Sequence, residues 1–134
     1  MRYLLDTNAV IGLLKDRASP LARRLREHRP ADIGVSSIVT HELYFGAYKS
    51  ARIDANLAIL DAMRFEVAPF DKQDSIAAGR IRASLHAAGT PIGPFDVLLA
   101  GQALCRGLVL VTANLKEFRR VEGLVVEDWS GGVG

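Results

Sequence analysis

An α/β domain around a mainly parallel sheet is the fold this sequence predicts, and three features predict it. Short apolar runs alternate with longer segments of helical periodicity along the chain. Most of those runs are continuously apolar, as strands covered on both faces are. Two of them, Tyr3-Leu4-Leu5 and Leu108 to Val111, stop abruptly in the polar triplets Asp6-Thr7-Asn8 and Thr112-Ala113-Asn114. Parallel neighbours would bring both triplets to one rim, the side of an open parallel sheet where ligands gather.

The elements follow in order. Tyr3 to Leu5 reads as a buried strand, and Ala9 to Leu14 as a short helix. Ser19-Pro20 opens a second helix running to about His28, because serine caps and proline occupies a position that needs no N–H. Ile33 to Val35 is the second strand. Ser36 or Ser37 caps the next helix, in which Ile38, Val39, Leu43 and Ala47 form an apolar stripe. Leu57, Leu60 and Met63 mark a further helix, and Phe65 to Ala68 alternates as a strand. A long helix from Asp71 to about Ala88 ends at Gly89, before the turn Thr90-Pro91-Ile92-Gly93-Pro94. Phe95 to Arg106 is helical and stops at Gly107. The strand from Leu108 to Val111 follows, then a short helical segment and a last strand around Leu124 to Val126.

The 134 residues suit one core, so residues 1–129 read as a single domain and 130–134 as a loose, flexible tail. With 49% hydrophobic and 24% charged residues the chain is neither disordered nor membrane-like, and no run approaches the length of a membrane span. Asp6 and Asn8 interrupt any signal-peptide core, so a cytoplasmic protein is expected. A net charge of +2 allows a nucleic-acid partner without arguing for one. The single cysteine, Cys105, excludes an intrachain disulfide and a thiolate metal site, and its apolar setting predicts a small buried side chain.

Chemistry must therefore come from local constellations. Asp6 has two readings, a helix cap and a functional acid. Asp96 lies in the first turn of its helix, where a carboxylate favours the macrodipole. Glu42 sits mid-helix beside the face of Ile38, either on a solvated flank or buried with a compensating cation. If the three converge, each pair within about 4 Å repels by roughly 4 kcal/mol at an effective dielectric of 20. Such a cluster either keeps protons or binds a hard divalent cation, and oxygen ligands favour Mg²⁺ or Mn²⁺. His28, His41 and His86 are scattered, which argues against zinc. The chain has no GxxxxGK[ST] or GxGxxG phosphate loop and no GxSxG elbow.

Asp6-Thr7-Asn8 after a strand, His41-Glu42-Leu43 on a helix, Gly93-Pro94-Phe95-Asp96 opening a helix and Val111-Thr112-Ala113-Asn114 after a late strand occur in this order. From about Met1 to Trp129 the chain thereby resembles the PIN-domain ribonucleases, and more narrowly the VapC toxins of bacterial VapBC toxin–antitoxin systems. The resemblance implies an α/β/α sandwich with a central parallel sheet and an acidic pocket for Mg²⁺ or Mn²⁺. It implies a metal-dependent endoribonuclease that cuts RNA, a structured RNA such as tRNA, with metal-activated water, leaving 5′-phosphate and 3′-hydroxyl ends. Asp6, Glu42 and Asp96 match the first three acids of the motif and are the expected metal ligands. Asn114 matches the fourth position, where many members carry Asp, so a second metal ion is left open. Glu117, one turn later, is either a substitute charge or a surface residue, with the surface slightly favoured. Thr7, Asn8 and Thr112 are expected to hold carboxylates and waters by hydrogen bonds. The resemblance also implies a homodimer and a VapB-like antitoxin partner. Arg23, Arg24 and Arg26, Lys49 and Arg52, and Lys116 with Arg119 and Arg120 are candidates either for the RNA backbone or for plain solvated faces.

Two other classes compete. A non-catalytic PIN-like binding module would lack one of the three acids, and none is missing. A phosphoaspartyl protein would need either a mid-chain aspartate with a late lysine or a DxD pair, and Asn8 stands where the second acid of that pair would be.

Overall fold

The first apolar run becomes the middle of the sheet. The structure, a computed structural model, describes residues 1–131. Its elements are β1 (Tyr3–Leu5), α1 (Thr7–Lys15), α2 (Pro20–Arg26), a 3-10 turn (Pro30–Asp32), β2 (Ile33–Ser36), α3 (Ser37–Tyr48) and α4 (Ile53–Asp61). They continue with β3 (Glu66–Ala68), α5 (Lys72–Ala87), α6 (Pro94–Arg106), β4 (Val109–Val111), α7 (Leu115–Phe118) and β5 (Val126–Glu127). The strands pair in the order β3-β2-β1-β4-β5, and each adjacent pair is parallel. Helices flank this sheet, as the alternation of apolar runs and helical segments predicts.

The chain order reverses at β1: β2 and β3 are laid down on one side of it, β4 and β5 on the other. Leu5 pairs with Val111, so Asp6 and Thr112 leave the sheet side by side, and the Asp6 N–H donates to the Val111 carbonyl at 3.0 Å. β1 is buried at all three residues, as are the four residues of β2, so continuous rather than alternating hydrophobicity is what their positions demand. The alternation read in residues 65–68 fails at Val67, which is exposed like Glu66, because β3 is an edge strand. The last strand lies slightly later than expected, at Val126–Glu127.

Helix ends follow their local chemistry. Ser19 accepts from the Ala22 N–H with Pro20 in the first turn of α2, and Ser36 accepts from the Ile38 N–H at the start of α3. Gly107 ends α6 at φ 65°, a left-handed conformation that costs glycine nothing. Cys105, expected to be buried, is exposed. It falls in the last turn of α6, beyond Ala103, where the buried face of the helix ends. Trp129 is buried against Tyr3 and His28, the His28 ring stacking on it at 4.8 Å. Of the expected tail, Ser130 bonds back to Asp128 through its backbone N–H at 2.8 Å, and residues 132–134 lie outside the described residues.

α5 and α6 form the closest helix pair. Asp71 and Asp74 cap α5 reciprocally, and Asp74 also receives two bonds from Arg106 of α6, Nε to Oδ1 at 3.1 Å and Nη2 to Oδ2 at 2.8 Å. Asp74 is only 1% exposed. Burial opposes its charge, but the Arg106 hydrogen bonds and charge outweigh that, so its pKa lies below the usual carboxylate value. At Gly101 the two helices touch: a Cβ there would stand 2.6 Å from the Cα, Cβ and N of Ala78. Gly79, one residue on in α5, faces open space. Gly101→Ala is therefore expected to destabilise the protein by about 1–3 kcal/mol through overpacking. Gly79→Ala should instead stabilise it by about 0.5–1 kcal/mol through helix propensity. Urea unfolding of both variants checks this, and equal shifts would refute the close approach.

Candidate active site

The site grows from the carboxyl ends of β1 and β4. Asp6 is both a cap and a member of the acidic cluster. Its Oδ1 accepts the Ala9 N–H at 2.8 Å, which starts α1, and the Thr112 hydroxyl bonds to the same carboxyl group. The side chain is pinned from two elements while only 6% of the residue is exposed. Burial raises its pKa, the two hydrogen bonds counteract part of that rise, and the charges of Glu42 and Asp128 add to it.

Glu42 reaches the site from the middle of α3 and is partly buried. Thr7, the residue after Asp6, donates its hydroxyl to Glu42 Oε1 at 3.0 Å, tying α3 to the start of α1. Asp96 arrives in the first turn of α6, where Gly93-Pro94 turns the chain into the helix. Burial, the neighbouring Glu117 charge, a hydrogen bond with Glu117 and the more distant charges of Asp6 and Glu42 push Asp96 up to about 7. Glu117 moves the other way. The Gly93 N–H donates to its Oε1 at 2.6 Å and the Asn114 amide donates to its Oε2. With Arg120 nearby as well, these hold it below the usual value despite some burial. Asp96 and Glu117 therefore share one proton, carried on Asp96.

The structure thus brings Asp6, Glu42 and Asp96 within one another's field, as expected from the sequence. Thr7 bonds to Glu42, and Thr112 lies against Asp6. Glu117 is not a plain surface residue, because its carboxylate is bonded into the cluster. Asn114, matched to the fourth position of the motif, precedes α7 and braces Glu117. Asn8 is exposed and makes no side-chain hydrogen bond to the acids among the described residues, because it falls on the outward face of the first turn of α1.

Asp128 is the acid that sequence reasoning missed. It lies just past β5, and the rule that picked out Asp6 and Thr112 at strand ends applies to it equally. Glu117 also had a signal, for Asn114-x-x-Glu117 has the spacing of a capping box. That box does not form; the glutamate is drawn to the Gly93 N–H. Of the basic candidates, Arg120 stands closest to the acids, its Nη1 donating to the Pro91 carbonyl at 2.9 Å, and exposed Lys116 adjoins Glu117 in sequence. Arg24 is engaged elsewhere, 3.6 Å from Glu127 and over the Trp129 ring.

The chain that gathers these carboxylates also finds its match, as a whole, among known proteins. The PIN domain family matches residues 3–124. The chain belongs to the PIN-domain family. Within it, the chain sits with the VapC proteins. It is 41% identical over 131 residues to the tRNA(fMet)-specific endonuclease VapC of Salmonella typhimurium, covering 96% of this chain and 98% of that one. Ribonuclease VapC2 of Haemophilus influenzae is 38% identical over 131 residues, again covering 96% and 98%. Among solved structures, DNA-bound VapBC from Salmonella typhimurium superposes with a TM-score of 0.91 at 41% identity, covering 96% of this chain and 98% of that one. VapBC-1 from nontypeable Haemophilus influenzae does so with 0.88 at 32% identity, covering 98% and 100%.

The donor set of this PIN domain fits a hard divalent cation. The ligands on offer are carboxylate oxygens, and Asp96 keeps a proton that such a cation would displace. Among the described residues no three His, Cys, Asp or Glu side chains stand in ready-made ligand geometry, so the acids are gathered but not closed up. A pH dependence follows from the Asp96 shift. Between about 4 and about 7 the folded protein holds a proton on Asp96 that the unfolded chain has lost. In EDTA, stability contributed by this group is therefore full below its unfolded value of 3.8 and lost as pH rises through about 7. Asp96→Asn keeps a donor for Glu117 without a proton to lose. Its melting temperature in EDTA should exceed that of the unmodified protein by a few degrees at neutral to mildly alkaline pH, with the difference shrinking toward pH 4. Parallel melting curves across that range would overturn the assignment.

Proposed function

We propose that this PIN domain is a metal-dependent endoribonuclease acting as the toxin of a cytoplasmic toxin–antitoxin pair, with a structured RNA such as tRNA as its substrate. The observation that carries the proposal is the acidic cluster itself: Asp96, pushed up to about 7 by burial first and then by Glu117, lies also in the field of Asp6 and Glu42. A cluster assembled at that electrostatic cost has a use when a cation compensates it. Bound Mg²⁺ or Mn²⁺ supplies neutralisation of the scissile phosphate and activation of the attacking water.

The chain's own residues do the rest. Asp6, Glu42 and Asp96 hold the cation. Thr112 and the Ala9 N–H fix the Asp6 carboxylate, so it reorganises little when the ion arrives. Thr7 anchors Glu42 Oε1, so the carboxylate is held from the start of α1. Loss of the proton shared between Asp96 and Glu117 frees Asp96 Oδ atoms for ligation, while the Gly93 N–H and the Asn114 amide keep Glu117 in place as the remaining acceptor. Lys116 and Arg120 border the acids and suit contacts to the RNA backbone. Single-stranded loops are the favoured targets, since side chains read unpaired bases more readily than duplex RNA.

The relatives' VapBC complexes support a VapB-like antitoxin partner, and a homodimer is proposed on the family resemblance alone. A groove of about 390 Å³ lined by Ile11, Leu14, Leu43, Ala47 and Leu60 runs up to Glu42, so an inhibitory segment seated there would end at the acids. Among the described residues no helix is long and apolar enough to cross a membrane.

The test is incubation of purified, antitoxin-free protein with total RNA in Mg²⁺, Mn²⁺ or EDTA. Discrete fragments are expected with either metal and none in EDTA. Asp6→Asn and Asp96→Asn should abolish cutting, and Thr112→Val should slow it by about 10- to 100-fold. Cutting by the unmodified protein and both acid variants alike would mean a contaminant. No cutting under any condition would replace the nuclease with a non-catalytic binding module.

A further inference from the structure

His41 and Phe95 adjoin two of the acids in sequence without belonging to the cluster. Each immediately precedes an acid, His41 before Glu42 on α3 and Phe95 before Asp96 on α6. Their rings meet across the two helices with centroids 6.1 Å apart and planes tilted by 50°. Phe95 is 42% exposed, whereas Phe118 is buried, so its ring is not needed to fill the core. His41 is exposed too, and neither ring carries a hydrogen bond to the protein among those described. Two exposed aromatic rings, each one residue from an acid that would hold the cation, are suited to an unpaired base.

Resting on the ribonuclease reading, we infer that His41 and Phe95 form a stacking platform for the unpaired base next to the scissile phosphate. The position decides this chemistry. A phosphate neutralised by a cation at Asp6, Glu42 and Asp96 would carry its flanking nucleotide past those side chains, and α3 and α6 carry the two rings one residue away from Glu42 and Asp96. Stacking is tolerant of base identity, because every base has a π-face. The platform therefore selects single-stranded over duplex RNA at the cutting point and leaves sequence preference to other contacts. Splaying one base onto His41 and Phe95 also fixes the orientation of the phosphate that follows it, a positioning role that acts on the substrate itself.

The test separates this inference from the activity on which it rests. In an Asp6→Asn background with Mg²⁺ present, binding of short end-labelled oligouridylate and oligoadenylate is measured by fluorescence anisotropy. Phe95→Leu and His41→Leu keep apolar volume and remove the ring, and each is expected to weaken binding by roughly 5- to 150-fold, the loss of one base stack. Phe95→Tyr should bind as the parent does. Phe95→Trp should show emission quenched by these oligonucleotides and not by abasic ones. Melting curves matching the parent keep an unfolded variant from being read as a loss of stacking, and the fluorescence of Phe95→Trp then decides. If the parent binds and the unmodified protein cuts RNA while both leucine variants bind unchanged, the platform is refuted and the nuclease stands. If the leucine variants lose abasic and intact oligonucleotides equally, stacking is refuted. If the parent binds no RNA and the unmodified protein cuts none, the ribonuclease reading fails and the platform with it.

Discussion

The buried carboxylate of Asp6 lies where β1 ends, α1 begins and β4 runs alongside, and the other groups of the site are disposed around it. Its negative charge is tolerated because two donors from separate elements, the Ala9 N–H and the Thr112 hydroxyl, are aimed at it. Those donors offset only part of the burial cost, and Glu42 and Asp128 add repulsion. Asp96 bears a burial cost of its own beside the Glu117 charge, and its carboxyl group is pushed up to about 7. Capping and chemistry are therefore not alternatives for Asp6. The same oxygen that begins α1 also keeps the acid from rotating away.

Around this point the fold works as a positioning frame. The reversal of strand order at β1 opens the crevice, and α3 and α6 each deliver one acid into it from outside the sheet. α6 is itself anchored at some distance from the acids, by Gly101 lying on Ala78 and by Arg106 clamping Asp74 of α5. Its first turn is thereby held where Asp96 meets Glu117. α7 is only four residues long, but Glu117 is fixed by the Gly93 N–H of the loop that opens α6, so the two short segments orient each other. The two exposed rings beside the acids are carried by the same frame, which is why a positioning surface and the acids come as one unit.

The sheet and most helices were legible because their determinants are local. The unbroken apolar runs of β1 and β2 signal strands covered on both faces, Ser19-Pro20 and Ser36 signal helix starts, and Gly107 signals a stop. Legibility failed where exposure depends on which neighbour arrives. Val67 is exposed because β3 is an edge strand, and Cys105 because the buried face of α6 ends at Ala103. Neither fact is encoded in the residue or its immediate flanks.

What the sequence by itself determined is the α/β class, the boundaries of most elements and the acids worth watching, since periodicity, caps and polar residues at strand ends are short-range signals. Tertiary structure alone decided which acids interact and which side chains serve them. Asn114 braces Glu117, Asn8 turns outward, and Glu117 and Asp128 enter the cluster's field; the last two relations, Glu117 with Gly93 and Asp128 with Asp6, join residues far apart in the chain. A proton shared between Asp96 and Glu117 is a property of their distance and burial, and neither quantity exists until β1, β4, α6 and α7 have come together.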